Sequence, residues 1–289
     1  MSINPVEIPT GAVRYNTDSN KMEVYIGSTW MEVAVSSPNL DGGARGIFTG
    51  GATPSAVNTI DFVTISTAGD ATDFGDLSTV LRAHASFADR TRGLNAAGGN
   101  PSVTNTIEFI TISSTGNSQN FGDLTVARDY LAGINNATRG VAGGAWGPSR
   151  SDVIDFVTMQ STGNAVDFGN LLTAKQTDGS FSSPTRGFWV GGASGSSPDY
   201  DASTSGTVIN FITTSSTGNA QDFGDLTLSN QGTGSGGLAS PTRAVFAVSS
   251  QTNVDYVQIM TKGNGVDFGD KTDNGSGGGG ASNGHGGLG

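Results

Sequence analysis

One string constrains this chain more than any other feature. IDFVTISTAGDATDFGDL, at Ile60–Leu77, returns four more times as IEFITISSTGNSQNFGDL, IDFVTMQSTGNAVDFGNL, INFITTSSTGNAQDFGDL and VDYVQIMTKGNGVDFGDK. Three landmarks fix the spacing. An arginine, in most copies followed by glycine, stands at Arg45, Arg92, Arg139, Arg186 and Arg243. An aromatic stands at Phe62, Phe109, Phe156, Phe211 and Tyr256, and the phenylalanine of the Phe-Gly pair at Phe74, Phe121, Phe168, Phe223 and Phe268. The second and third landmarks are 12 residues apart in all five copies, and the next arginine follows after 18, 18, 18 and 20. Nearly all variation sits between arginine and aromatic, at 17, 17, 17, 25 and 13 residues, so the uninterrupted unit is 47 residues long.

A period of that length excludes the short coils of a β-helix, and no 3.6-residue periodicity supports helical repeats. It matches a propeller blade of the kelch or WD40 kind, with four strands per unit. In the first copy, strands are predicted at Arg45–Gly51, Asn58–Ser66 and Ala71–Leu77, with a weaker fourth within Val80–Phe87. A Gly-Asn or Gly-Asp hairpin turn separates the second from the third. Along the second strand Ile60, Phe62 and Thr64 point one way and Asp61, Val63 and Ile65 the other. Apolar groups on both faces predict sheets on both sides. Gly50-Gly51, Gly98-Gly99, Gly143-Gly144 and Gly191-Gly192 end the first strand, where missing Cβ atoms permit close approach.

The expected architecture is all-β. A five-bladed kelch-like β-propeller covers residues 44–289, with units starting near 45, 92, 139, 186 and 243. A small β-hairpin or meander attachment module over 1–35 and a linker over 36–43 precede it. His285, in GHGGL, takes the arginine's place 17 residues after Phe268, so the C-terminal end is expected to close the ring beside the first blade. A row of independent β units in an elongated fibre is the alternative.

Composition narrows the partners. The net charge of −11 argues against nucleic acid, whose phosphates require clustered Lys and Arg. The absence of cysteine excludes disulfides and thiolate metal sites. The start, MSINPVEIPTGAVRY, has no basic segment followed by an apolar run, so no secretory signal is expected, and no apolar run approaches the ~20 residues that span a bilayer.

Asp73-Phe74-Gly75 resembles a kinase metal loop only superficially, because the Gly-rich loop, Val-Ala-x-Lys strand and His-Arg-Asp that accompany it are missing. The repeated phenylalanine is expected to fill the gap between blades. The acids around it (Asp73, Asp76, Asp123, Asp167, Asp222, Asp225, Asp267 and Asp270) offer oxygen ligands of the kind calcium takes. Asn120 and Asn170 break that pattern, and no Asp-x-Asp-x-Asp-Gly loop is present. Pairing of these acids with the recurrent arginines, or hydrogen bonding at turns, is the expectation, with no cofactor. His84 and His285 lie outside any metal or nucleophile motif, and GTGSGG at 232–237 has no following Gly-Lys-Ser/Thr. No catalytic residue is expected. Binding is expected in the divergent segments after the glycine pairs, on one rim. Trp146, Pro148, Asp199, Tyr200 and Asp201 are the candidate ligand contacts there, the aromatics able to stack on sugars.

GG…IEFITI…NFGDLTVAR, from Gly98 to Arg128, follows the order of a kelch repeat, with Phe121 in the usual tryptophan position. The fifth unit departs from it, with Val248-Ser249 in place of the glycine pair. From Arg45 onward, the tandem STGNAxDFGDLT and SSPTRG strings and the HGGL string resemble virion structural and tail-fibre-like proteins of phages that infect marine cyanobacteria. GAVRYNTDSNKMEVYIGSTWMEV, at Gly11–Val33, is similar to the hairpin module of many phage fibre and appendage proteins. The resemblance implies a non-enzymatic virion component, made in the host cytoplasm and present in many copies on the particle. Three short strands bury little area alone. Tyr15, Met22, Val24, Tyr25 and Trp30 are therefore expected to contact other virion proteins or other copies. The propeller would then face the host surface, where a glycan is the candidate ligand. A lectin-like propeller without a virion role, and a glycan-cleaving propeller, are the alternatives.

Overall fold

In a computed structural model the chain is all-β. The structure describes residues 8–17, 21–33, 45–52, 54–65, 67–99, 101–177, 179–194, 206–229, 237–240, 242–248 and 251–274, and no helix occurs among them. The chain divides into two compact units, 1–40 and 41–289.

The first unit is an antiparallel meander of β1 (Val13–Asn16), β2 (Lys21–Ile26) and β3 (Thr29–Glu32). Val13 stands opposite Val24, Tyr15 opposite Met22, and Val24 opposite Met31. Alternation therefore collects Val13, Tyr15, Met22, Val24, Ile26 and Met31 on one face. The other face carries Arg14, Lys21, Glu23, Tyr25, Trp30 and Glu32, and its groups satisfy one another. Tyr25 and Trp30 lie 5.3 Å apart, the Arg14 guanidinium sits 4.2 Å over the Trp30 ring, and Arg14–Glu23 and Lys21–Glu32 are ion pairs of 2.8 and 2.7 Å. The apolar face has no such cover: Val13, Tyr15, Met22, Ile26 and Met31 are all exposed.

The second unit holds five antiparallel sheets. The first has three strands, β4 (Arg45–Thr49), β5 (Thr59–Thr64) and β6 (Thr72–Asp76). The second is β7 (Ala85–Ala88), β8 (Arg92–Ala96), β9 (Thr106–Thr111) and β10 (Gln119–Asp123). The third is β11 (Ala132–Asn135), β12 (Arg139–Ala145), β13 (Ser151–Thr158) and β14 (Val166–Asn170). The fourth is β15 (Gly179–Ser182), β16 (Arg186–Val190), β17 (Val208–Thr213) and β18 (Gln221–Asp225), and the fifth β19 (Gly237–Ala239), β20 (Arg243–Ala247), β21 (Asn253–Gln258) and β22 (Val266–Asp270).

This arrangement corrects one expectation. The strand within Val80–Phe87, read as the last of the first unit, is β7, and it pairs with β8 as the opening strand of the second sheet. Its buried Ala85 and Phe87 join the cluster of the second and third sheets. The sequence period and the sheet boundary are thus one strand out of phase. β7, β11, β15 and β19 lie side by side in that order, and the first sheet has no such strand among the described residues.

Sheets stack front to back. Phe74, Leu77 and Leu81 pack on Ile110 of the second sheet. Phe109, Phe121 and Leu124 pack on Val157 and Met159 of the third, and Phe211, Phe223 and Leu226 on Val257 and Ile259 of the fifth. The third and fourth sheets meet through Phe168, Leu171, Trp189 and Ile212. The expectation of sheets on both faces therefore holds for the inner sheets. At the two ends it does not: Ile65 on the back of the first sheet is 71% exposed and Phe268 on the front of the fifth is 56% exposed. The equivalent Phe74, Phe121, Phe168 and Phe223 are 2–3% exposed.

The repeated Asp-Phe-Gly has a structural origin. Its phenylalanine meets the aromatic of the neighbouring strand edge to face, at 5.5–6.1 Å, in all five sheets. The register shifts at the glycine, a β-bulge. In the third, fourth and fifth sheets the aspartate two residues earlier accepts the glycine N–H. Gly75 has φ +149°, and a Cβ there would lie 2.5 Å from the backbone of Gly116 in the next sheet's turn. Only glycine satisfies both demands.

Candidate functional site

The groups that recur in every repeat join sheet to sheet. Arg45 Nη1 donates to the Ile112 carbonyl at 2.9 Å, Arg92 to Met159 at 3.0 Å, Arg139 to Thr214 at 3.0 Å and Arg186 to Ile259 at 2.6 Å. Each guanidinium also lies 4.6–5.0 Å over the aromatic of its own sheet. Of the two expectations for the strand acids, pairing with these arginines is not found among the described residues, whereas local hydrogen bonding is made, by Asp167, Asp222 and Asp267 to the glycine N–H. Arg45 stands opposite Thr64 on the front face, so its head reaches the next sheet instead of its own third strand. The Gly-Asn turn completes the junction. Gly116 N–H donates to Phe74 O at 2.8 Å, Ser118 N–H to Asp76 O at 2.9 Å, and Asp76 N–H to Asn117 Oδ1 at 3.1 Å. The same three bonds return at Gly163–Ala165, Gly218–Ala220 and Gly263–Gly265.

A further set of residues was not singled out from the sequence. The polar residue just before the aromatic is buried in the second to fifth sheets and accepts from the loop of the preceding sheet. Glu108 accepts Ser78 N–H at 3.2 and 3.3 Å, and Asn210 Oδ1 accepts Leu172 N–H at 3.0 Å. Asp155 accepts the Thr125 N–H at 3.3 Å and hydroxyl at 2.7 Å, and Asp255 those of Thr227 at 2.8 and 2.6 Å. The signal was available, since the position recurs at a fixed place, but a single polar residue in an alternating strand reads as an outward-facing one. Asp155 also meets Arg128, fully buried, at 3.0 Å. Arg128 donates in addition to Val153 O at 2.7 Å and Ala142 O at 3.3 Å. Burial pushes the Asp155 carboxyl above its usual range, against the pull of Arg128 and Thr125; burial likewise lowers Arg128.

With the repeated groups taken up in this way, variety is left to the loops that follow the glycine pairs. Trp146 follows β12 and is exposed; its backbone N–H donates to Asp129 O at 2.9 Å. The Arg150 guanidinium lies 4.1 Å from the Trp146 ring centroid, Tyr130 stands 6.0 Å away, and Gly147 N–H donates to Asp129 Oδ1 at 2.8 Å. An exposed indole beside a carboxylate, a guanidinium and a phenol can stack on and hydrogen-bond a polar ring. Pro148, also exposed, follows a cis peptide in the same loop. Asp199, Tyr200 and Asp201 lie outside the described residues, as does His285. Of the five expected contact residues in the first unit, the register puts Tyr15, Met22 and Val24 on the apolar face, with Tyr25 and Trp30 opposite.

Two other features lie near the loop after Gly98-Gly99. A cavity of about 290 Å³ opens between the first two sheets, with Glu108 in its wall. His84 is half-buried and lies close to it in sequence. Its Nε2 meets Thr49 Oγ1 at 3.1 Å, its Nδ1 has no hydrogen-bond partner among the described residues, and burial lowers its pKa to about 4. Among the described residues no three acidic or histidine side chains converge to hold a metal ion. No known protein-family profile matches the chain, and no curated protein matches it.

Proposed function

We propose that the chain is a non-enzymatic virion structural protein, a fibre, appendage or decoration of a phage particle, made in the host cytoplasm. The first unit attaches it to other virion proteins or to other copies. The five repeats form a five-bladed kelch-like propeller displayed for host-surface contact. One observation carries this reading: a single set of bonds, made at four successive junctions, takes up the arginine, phenylalanine and Gly-Asn groups of the repeats in a rigid scaffold.

A closed ring requires the fifth sheet to dock on the first, and the half-sites for that junction are present. Arg243, Phe268, Asp270 and Thr272 stand where the other sheets use Arg45, Phe74, Asp76 and Ser78. On the first sheet Ile65, Gly69, Asp70, Ala71 and Asp61 stand where the second uses Ile112, Gly116, Asn117, Ser118 and Glu108. Among the described residues the first sheet has no fourth strand, and a ring closed by the C-terminal end would supply one. β7, β11 and β15 begin 11 residues after Phe74, Phe121 and Phe168, and Gly279 follows Phe268 by 11. That stretch lies outside the described residues.

The uncharged exposed face of Val13, Tyr15, Met22, Ile26 and Met31 supports the attachment role, since such a face is stabilised by being covered. Immunogold labelling of intact particles tests the reading. The expected result is regular label at one class of position, and particles free of the chain would reject it. The group at Trp146 favours a second reading, a lectin-like propeller without a virion role. A glycan array with Trp146→Ala as control separates the two, and a product assay on the same glycans detects cleavage.

A further inference from the structure

We infer that the cavity over Glu108 is a binding site for a guanidinium group; this rests on the repeat geometry and not on the virion reading. The molecule supplies the comparison itself. Leu81 N–H donates to Val57 O, Arg128 N–H to Thr104 O, and Lys175 N–H to Ser151 O, at 3.0, 3.2 and 3.2 Å. Donors and acceptors alike are spaced by the 47-residue unit, so Leu81, Arg128 and Lys175 occupy one backbone place at three successive junctions. The acid side is equivalent too, with Glu108, Asp155 and Asn210 each just before the aromatic.

The three junctions solve the same electrostatic problem differently. At the second, Asp155 is neutralised by the Arg128 guanidinium. At the third, the cation Lys175 donates to Gly191 O and the acid is replaced by the amide of Asn210. At the first, an acid is present and no basic partner joins it among the described residues: Leu81 stands in the arginine's place. Glu108 is 6% exposed, and its carboxylate accepts only from the Ser78 N–H among the hydrogen bonds of the described residues. A buried carboxylate so weakly partnered is costly unless a cation joins it.

The space for that cation is there. The cavity is lined by Ser78, Thr79, Leu81, Ser102, Thr104 and Glu108 among others. The carboxylate can accept two N–H bonds from a planar guanidinium, and hydroxyl oxygens can accept the rest. One carboxylate among hydroxyls is a poor set for a divalent ion, which takes several charged or carbonyl oxygens. The guanidinium comes either from a small molecule or from an arginine side chain of a partner protein.

The test is an amide NMR titration of the full chain with methylguanidinium, with neutral methylurea alongside. Saturable shifts at Ser78, Thr79 and Thr104 are expected with the cation and not with the urea. Glu108→Gln is expected to weaken binding about tenfold or more, and Asn210 shows that an amide is accommodated in that position of the fold. Leu81→Arg, which places the guanidinium inside the chain, is expected to abolish binding of the added one. A capped arginine tripeptide that binds tighter than methylguanidinium assigns the site to a partner side chain; equal affinity assigns it to a small molecule. Equal response to methylurea, no saturable shift at the junction, or unchanged affinity in Glu108→Gln would each overturn the proposal.

Discussion

Phe168 and Phe268 are the same residue of the same string in two sheets, yet one is 2% exposed and the other 56%. Nothing within the sheets accounts for the difference: both phenylalanines meet an aromatic edge to face, at 5.8 and 6.1 Å. What differs is the neighbour, since the third sheet has the fourth in front of it. A repeat of this kind cannot bury its own apolar face, so its stability comes from junctions rather than units. The first unit makes the same point from the other side. Its aromatic face is held by its own ion pairs, while its apolar face has no equivalent neighbour within the three strands.

The largest expected effect tests that comparison directly. Phe168→Ala should cost about 3–5 kcal/mol in a chemical denaturation experiment. If the ring is closed as proposed, Phe268→Ala should cost nearly as much, and a loss below about 1 kcal/mol would leave the end face open. Arg128→Met comes next, because it abandons Asp155 in the interior; about 3–5 kcal/mol is expected. Adding Asp155→Asn to it should recover most of that loss, as the amide at Asn210 suggests.

The third effect depends on pH and distinguishes the first junction from the second. Folded His84 stays neutral down to about pH 4, whereas an unfolded chain protonates near 6.5. Its neutral form is therefore favourable to folding in full above pH ~6.5, and that contribution is lost as pH falls through the window toward 4. The gap between 6.5 and about 4 corresponds to about 3 kcal/mol. His84→Leu, which copies the Leu131 of the next repeat, should flatten stability between pH 4 and 6.5. An unchanged slope there would show that other groups govern it. The smallest effect is Arg92→Lys. It should cost about 1 kcal/mol, since a lysine keeps the charge but loses the planar stacking over Phe109.

Features with a local backbone cause were legible in the sequence. The Gly-Asn turn, the glycine of the bulge and the two-sided apolar strand each state their requirement within a few residues. The fourth strand was misplaced for the opposite reason. Ala85–Ala88 is short, and whether it closes one sheet or opens the next is decided by Arg92–Ala96 across the turn. The sidedness of Tyr25 and Trp30 likewise follows from register, with Tyr25 opposite Trp30 and Val24 opposite Met31. The site over Glu108 is visible only when Leu81, Arg128 and Lys175 are laid over one another at the repeat spacing and the cavity is seen beside the first. Trp146 is exposed after β12, but its company of Tyr130, Arg150 and Asp129 comes from two loops that the sequence does not join.

The ring is the claim on which the rest depends, and a crosslink tests it most directly. The chain has no cysteine of its own, so Asp70→Cys with Asp270→Cys introduces a single pair. These positions correspond to Asn117 and Asp76, which hydrogen-bond at 3.1 Å across the first junction. Under mild oxidation the account predicts an intramolecular disulfide in the monomer, detected by mass spectrometry of the joined peptides. Two free thiols, or a ladder of chains linked one to the next, would contradict it.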